Sequence, residues 1–170
     1  MRIKQEVFMF SGKLVDTIVK HSDDIMRLVI KRVREDAHLK FVGSLSDSEL
    51  LERGRHILGR LETWLNPSKR KLLERDYEEL GKRRFEQSVP LHEAVRVLLL
   101  IRSQAIEYVL EQGFDQSSLE IHAERELEHW LASFFDDLVY HLVKGYEAAL
   151  RELATVPSTP HHEPYPFWVP

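Results

Sequence analysis

Apolar positions along this chain recur at the spacing of one helix face after another, and no stretch shows the two-residue alternation of a strand. Between Pro90 and Leu110 the apolar arc is widest. Leu91, Ala94, Val95, Val97, Leu98, Leu99, Ile101, Ala105, Ile106, Tyr108 and Val109 leave only a narrow wedge for His92, Glu93, Arg96, Ser103, Gln104 and Glu107. Such a segment predicts a helix in the middle of a bundle. Pro90 suits its first turn and Gly113 its stop. Arg102 interrupts the apolar arc and therefore needs a partner or a route to solvent.

The other elements arrange themselves around this helix. Val7, Phe8, Phe10, Leu14, Val15, Ile18 and Val19 predict a first helix, and His21-Ser22-Asp23 a break with a new N-cap. Ile25, Leu28, Val29 and Val33 then mark one face of a second helix ending near Ala37. After a turn at Gly43 and Ser44, Ser46-Asp47-Ser48-Glu49 reads as a capping box opening a third helix. Its buried side is Leu50, Gly54, Ile57, Leu58, Leu61, Trp64 and Leu65. Asn66-Pro67 closes it and caps a fourth, with the face Leu73, Tyr77, Leu80, Gly81 and Arg84. The short loop Gln112 to Ser118 predicts that the last helix, Leu119 to Leu153, returns antiparallel to the central one. Leu127, Leu131, Phe134, Phe135, Leu138, Leu142, Tyr146, Ala149 and Leu153 are its apolar face, and Gly145 on that face allows close approach of a neighbouring helix. The expected architecture is an all-α, single-domain bundle of about six helices with a long C-terminal helix. It occupies residues 1–154 and is followed by an extended proline-rich tail over 155–170.

Composition narrows the function class. A chain of 170 residues that is 43% hydrophobic and 31% charged belongs with globular domains rather than disordered ones. A net charge of -4 supplies no global attraction to nucleic acid or to anionic membrane, and neither is expected as a partner. The absence of cysteine removes disulfides, thiolate metal sites and cysteine nucleophiles, and fits a cytoplasmic location. The opening MRIKQEVFMFSGKLVD is neither a signal peptide nor a membrane span.

Few residues suggest chemistry. With a hairpin midpoint near residue 115, Arg102 and Glu128 fall at the same height, and Glu124 lies one turn before Glu128 on the apolar side of the last helix. The structural reading is a buried ion pair that fixes register; the functional one is a polar pocket for a small ligand or anion. The same hairpin places His141 near the start of the central helix and His92, a pair able to ligate haem or sense pH. Arg102, Glu124, Glu128, His92 and His141 are thus the candidate ligand-binding residues. Glu126-Leu127-Glu128-His129 has the Glu-x-x-His spacing of di-iron bundles, but it occurs once where two are needed. No metal or cofactor is expected, although a haem- or metal-binding bundle is the alternative reading. The basic runs Lys69-Arg70-Lys71 and Lys82-Arg83-Arg84 are interleaved with glutamates and read as a solvated face, except that Arg84 continues the Tyr77, Leu80, Gly81 stripe. His161-His162-Glu163 reads as part of a polar tail, in which Tyr165, Phe167 and Trp168 are apolar enough to dock into a groove. No nucleophile and base pair emerges, so no enzyme is expected.

Four motifs carry a family resemblance: Tyr77-x-x-Leu80-Gly81-x-x-Arg84, Val89-Pro90-Leu91-His92-Glu93-x-Val95-x-x-Leu98, Phe134-Phe135-Asp136 and Gly145-Tyr146-Glu147. Across Leu14 to Leu153 the chain resembles the N-terminal domain of RsbT co-antagonist proteins of the RsbRD type. The resemblance implies an all-helical, non-enzymatic sensory or regulatory module of bacterial stress signalling, often dimeric and placed ahead of an output domain. It carries over no catalytic residues. Here only the proline-rich tail is expected to follow the domain, which leaves a free-standing sensor or adaptor, a homodimer through the last helix with a protein partner in signalling.

Overall fold

The computed structural model describes residues 12–111 and 118–155, without the side chains of Pro67 and residues 118–124. The described chain opens in helix over residues 12–20 (α1) and continues through α2 (Ser22–Glu35), a 3-10 turn (Val42–Ser44), α3 (Asp47–Leu58), α4 (Leu61–Leu65), α5 (Pro67–Glu86), α6 (Leu91–Glu111) and α7 (Ser118–Ala154). Among the described residues there is no strand. The all-α bundle with a long final helix is therefore the fold.

Local chemistry explains most boundaries. Ser46 caps α3 by accepting from the Glu49 N–H at 3.3 Å, while the Glu49 carboxylate pairs with Arg53 one turn on instead of closing the box. Asn66 caps α5, accepting from the Ser68 N–H at 3.1 Å, with Pro67 in the first turn where its missing N–H costs nothing. At α2 the expected side-chain cap is absent: His21 occupies the N-cap position, and Asp23 and Asp24 in the first turn meet the positive end of the helix dipole. The predicted third helix breaks at Gly59, giving α3 and the short α4. In α2 the buried set is Ile25, Met26, Val29, Ile30 and Val33, and Leu28 is exposed, so the face is rotated by part of a turn from the expected one.

The core runs the length of the bundle. Phe134 and Phe135 of α7 are fully buried, and Phe134 meets Trp64 and Tyr77 edge-on, with centroids 5.9 and 6.3 Å apart. Trp64 donates its indole N–H to Asp137 at 3.0 Å, so this large ring is satisfied at both ends. The closest packing in the fold joins α5 to α7. A Cβ on Gly81 would lie 2.1 Å from the Leu142 carbonyl oxygen, and one on Gly145 2.0 Å from that of Glu78. The two helices cross backbone against backbone at this glycine pair. Helix α6 runs antiparallel to both, as Tyr146 donating to the Val89 carbonyl at 2.7 Å and Arg102 meeting Asp136 at 3.3 Å demonstrate.

The central helix is buried on an unexpected side as well. Glu93, placed by periodicity in the polar wedge, is only 4% exposed and accepts from the backbone N–H groups of Phe41 and Val42 at 3.2 and 2.9 Å. Its carboxylate satisfies donors that the 3-10 turn leaves open. Gln104, also buried, donates to Glu107, which accepts from Arg32 of α2 at 2.7 Å. Glu93, Gln104 and Glu107 thus turn toward the 3-10 turn and α2, while His92, Arg96 and Ser103 of the same wedge are exposed.

Candidate functional site

Of the five residues singled out by the sequence, the structure describes the side chains of Arg102, Glu128, His92 and His141, and it does not gather these four. Arg102 pairs with Asp136 and not with Glu128, which is exposed. Asp136 lies two turns further along α7 than Glu128, and the mirror point of the α6–α7 pair falls near residue 119 rather than 115. The cause is α5: contact at Gly81 and Gly145 sets the axial position of α7, and the loop midpoint does not. Arg102 reaches the surface along its aliphatic stem, with 31% of its side chain exposed against 72% for Asp136, so the predicted buried polar pocket does not form there. The Glu124 side chain lies outside the described residues, as do His161, His162, Glu163, Tyr165, Phe167 and Trp168 of the tail.

The histidines are separated in the same way. His141 Nδ1 is 2.9 Å from Glu78 of α5, which also accepts from Lys144 at 2.7 Å, while His92 is exposed beside Leu91, Val95, Arg96 and Leu99. Lys144, and after it His141, holds the Glu78 carboxyl below the usual carboxylate range. Among the described residues no group of three His, Asp or Glu side chains is placed to hold a metal ion. Glu126 and His129 are both exposed. Gly145, expected to serve a neighbouring helix, is used inside the chain by α5.

What the bundle does build is an apolar cavity of about 70 Å³ between α2, α3, α5 and α6, closed by Leu142 of α7. Met26 and Val29 wall it from α2, Leu50 and Gly54 from α3, Leu80 from α5, and Leu98 and Ile101 from α6. Two half-buried arginines, Arg53 and Arg84, belong to the same wall. Arg53 is paired with Glu49. Arg84 donates to the neutral Gln87 side chain at 2.6 Å and meets no carboxylate among the described residues. Burial above all, and then the charges of Arg53 and Arg83, press its pKa downward, while Tyr146 and Glu49 act in the opposite direction. An arginine does not lose its proton under such pressure, so the wall retains a cation short of counter-charge.

Sequence reasoning recognised Arg84 as a charge within an apolar stripe and Gly54 as a buried glycine, but not that they share a cavity. That needs the α3–α5 contact, which no spacing within one helix encodes. Two other residues of the basic runs are engaged elsewhere: Arg70 stacks over Trp64 at 4.4 Å, and Lys82 pairs with Glu79 and Glu152.

No described helix is long and apolar enough to cross a membrane. Comparison with curated proteins and with solved structures returned no match. The family model described as the RsbT co-antagonist protein rsbRD N-terminal domain matches residues 22–158, from the start of α2 to just past the end of α7. That span contains every wall of the cavity and the glycine crossing, and it makes this chain a member of the RsbT co-antagonist protein RsbRD N-terminal domain family, a regulatory domain of stress signalling.

Proposed function

We propose that the chain is a non-enzymatic sensory module that acts through protein–protein contact in the cytoplasm, first with a second copy of itself and through that dimer with a signalling partner. The observation that carries this reading is the apolar groove at the far end of α7. Leu150 and Leu153 are 57% and 66% exposed there, beside Phe85, Leu91 and Tyr146. Large aliphatic side chains left open next to an aromatic wall are a usual mark of a contact surface. A groove that carries both the projecting leucines and the pocket to receive them suits a two-fold pairing, in which each copy fills the other. Residues 1–154 would constitute the regulatory body and 155–170 an extended tail. Light scattering is expected to give twice the 20.0 kDa chain mass at micromolar concentration; a strict monomer at every concentration would overturn the dimer.

A further inference from the structure

We propose that the cavity between α2, α3, α5 and α6 binds a short-chain aliphatic carboxylate, with its hydrocarbon among Val29, Leu98 and Ile101 and its carboxylate on Arg84 and Arg53. This deepens the regulatory reading by naming the chemistry of its input, and the binding itself stands apart from dimer formation.

Three observations converge. The first is size: about 70 Å³ is near half the roughly 150 Å³ that accommodates benzene in an apolar cavity, so it suits a hydrocarbon tail of about three carbons, with the carboxylate itself at the arginines of the wall, and excludes nucleotides, haem and sugars. Met26 gives some latitude, because its thioether lies against Gly54 and can change rotamer without moving backbone. The second is charge. Around Arg84 stand Arg53 and Arg83 with Glu49 as the facing carboxylate, and Glu49 is already engaged by Arg53. An anion is drawn to this wall and an ammonium ion repelled. The third is geometry. Arg84 spends one N–H on Gln87, leaving donors of its planar fork for a bidentate carboxylate in a setting that is partly desolvated, where charge-assisted hydrogen bonds gain strength. A purely apolar ligand would leave that guanidinium unanswered.

The test uses methyl NMR of the full chain titrated with butyrate, and with butanol and butylammonium as neutral and cationic counterparts of similar size. Butyrate is expected to give saturable shifts at Val29, Leu50, Leu98 and Ile101, to bind at least tenfold more tightly than butanol, and to leave butylammonium without effect. Arg84→Gln should bring butyrate down to the affinity of butanol, and Ala94→Leu, which fills the cavity from α6, should remove both. Equal affinities for butyrate and butanol in the unaltered chain would overturn the proposal, as would the absence of saturable shifts with butyrate; neither result depends on a variant folding. Light scattering on the same samples separates the two readings, since butyrate binding by a chain that remains monomeric retains the site and removes the dimer.

Discussion

Ser88 sits at φ 56°, the one described non-glycine residue with positive φ, in the turn that ends α5. Its N–H bonds the Phe85 carbonyl at 2.9 Å and the Val89 N–H bonds that of Arg84 at 3.0 Å, a pair of bonds that closes a helix with a left-handed residue where glycine is usual. Ser88→Gly is therefore expected to stabilise the fold by about 0.5–1 kcal/mol, read as a higher denaturation midpoint. The buried Glu93 works in the other sense. Glu93→Gln keeps shape but replaces a charged double acceptor with one carbonyl, so one of the Phe41 and Val42 N–H groups loses its partner, at a cost of about 1–3 kcal/mol in urea unfolding. At this scale the sequence disclosed side chains that act on their own neighbours, such as the Ser46 and Asn66 caps. It concealed Glu93, because the groups that call it inward lie about fifty residues away.

Between elements, the α5–α7 crossing is the contact on which the register of the bundle depends. Gly145→Ala gains helix propensity of about 1 kcal/mol, yet its methyl would stand 2.0 Å from the Glu78 carbonyl oxygen, a backbone atom that can yield only if the helices part. The expected net effect is a loss of about 2 kcal/mol or more in chemical denaturation, whereas an ordinary exposed-face alanine would be neutral or favourable. Next to the glycines, the Glu78, His141 and Lys144 cluster ties the same helices electrostatically. Because the Glu78 pKa is depressed in the fold, its contribution is present above the unfolded value of about 4.3 and is lost as pH falls through the lower folded value. Melting temperatures of wild type and Glu78→Gln should differ at pH 6, by the equivalent of under about 1 kcal/mol, and converge toward pH 3. Helix existence and the antiparallel return of α7 on α6 were readable from periodicity and loop length. The register was not, since a third helix sets it, and so Arg102 finds Asp136 rather than Glu128.

For the molecule as a whole, the candidate site illustrates the same limit. A cavity with arginines in its wall comes from five helices meeting, and the polar outlier that sequence could see in the central helix, Arg102, reaches the surface, while Arg84 of α5 stays half-buried in the cavity wall. The assembly step has its own signature. If two chains pair through Leu150 and Leu153, unfolding is coupled to dissociation, and the melting temperature must rise with protein concentration by mass action. Leu150→Glu together with Leu153→Glu places four carboxylates in the two-fold contact, where their burial is costly, yet in a single chain both positions are more than half exposed and each substitution should change stability by under about 0.5 kcal/mol. The double variant is thus expected to melt at a concentration-independent temperature and to scatter as one chain, with a helical circular dichroism spectrum like that of the wild type. A wild-type melting temperature that is flat over a hundredfold range of concentration would place the function of these leucines elsewhere than in self-association.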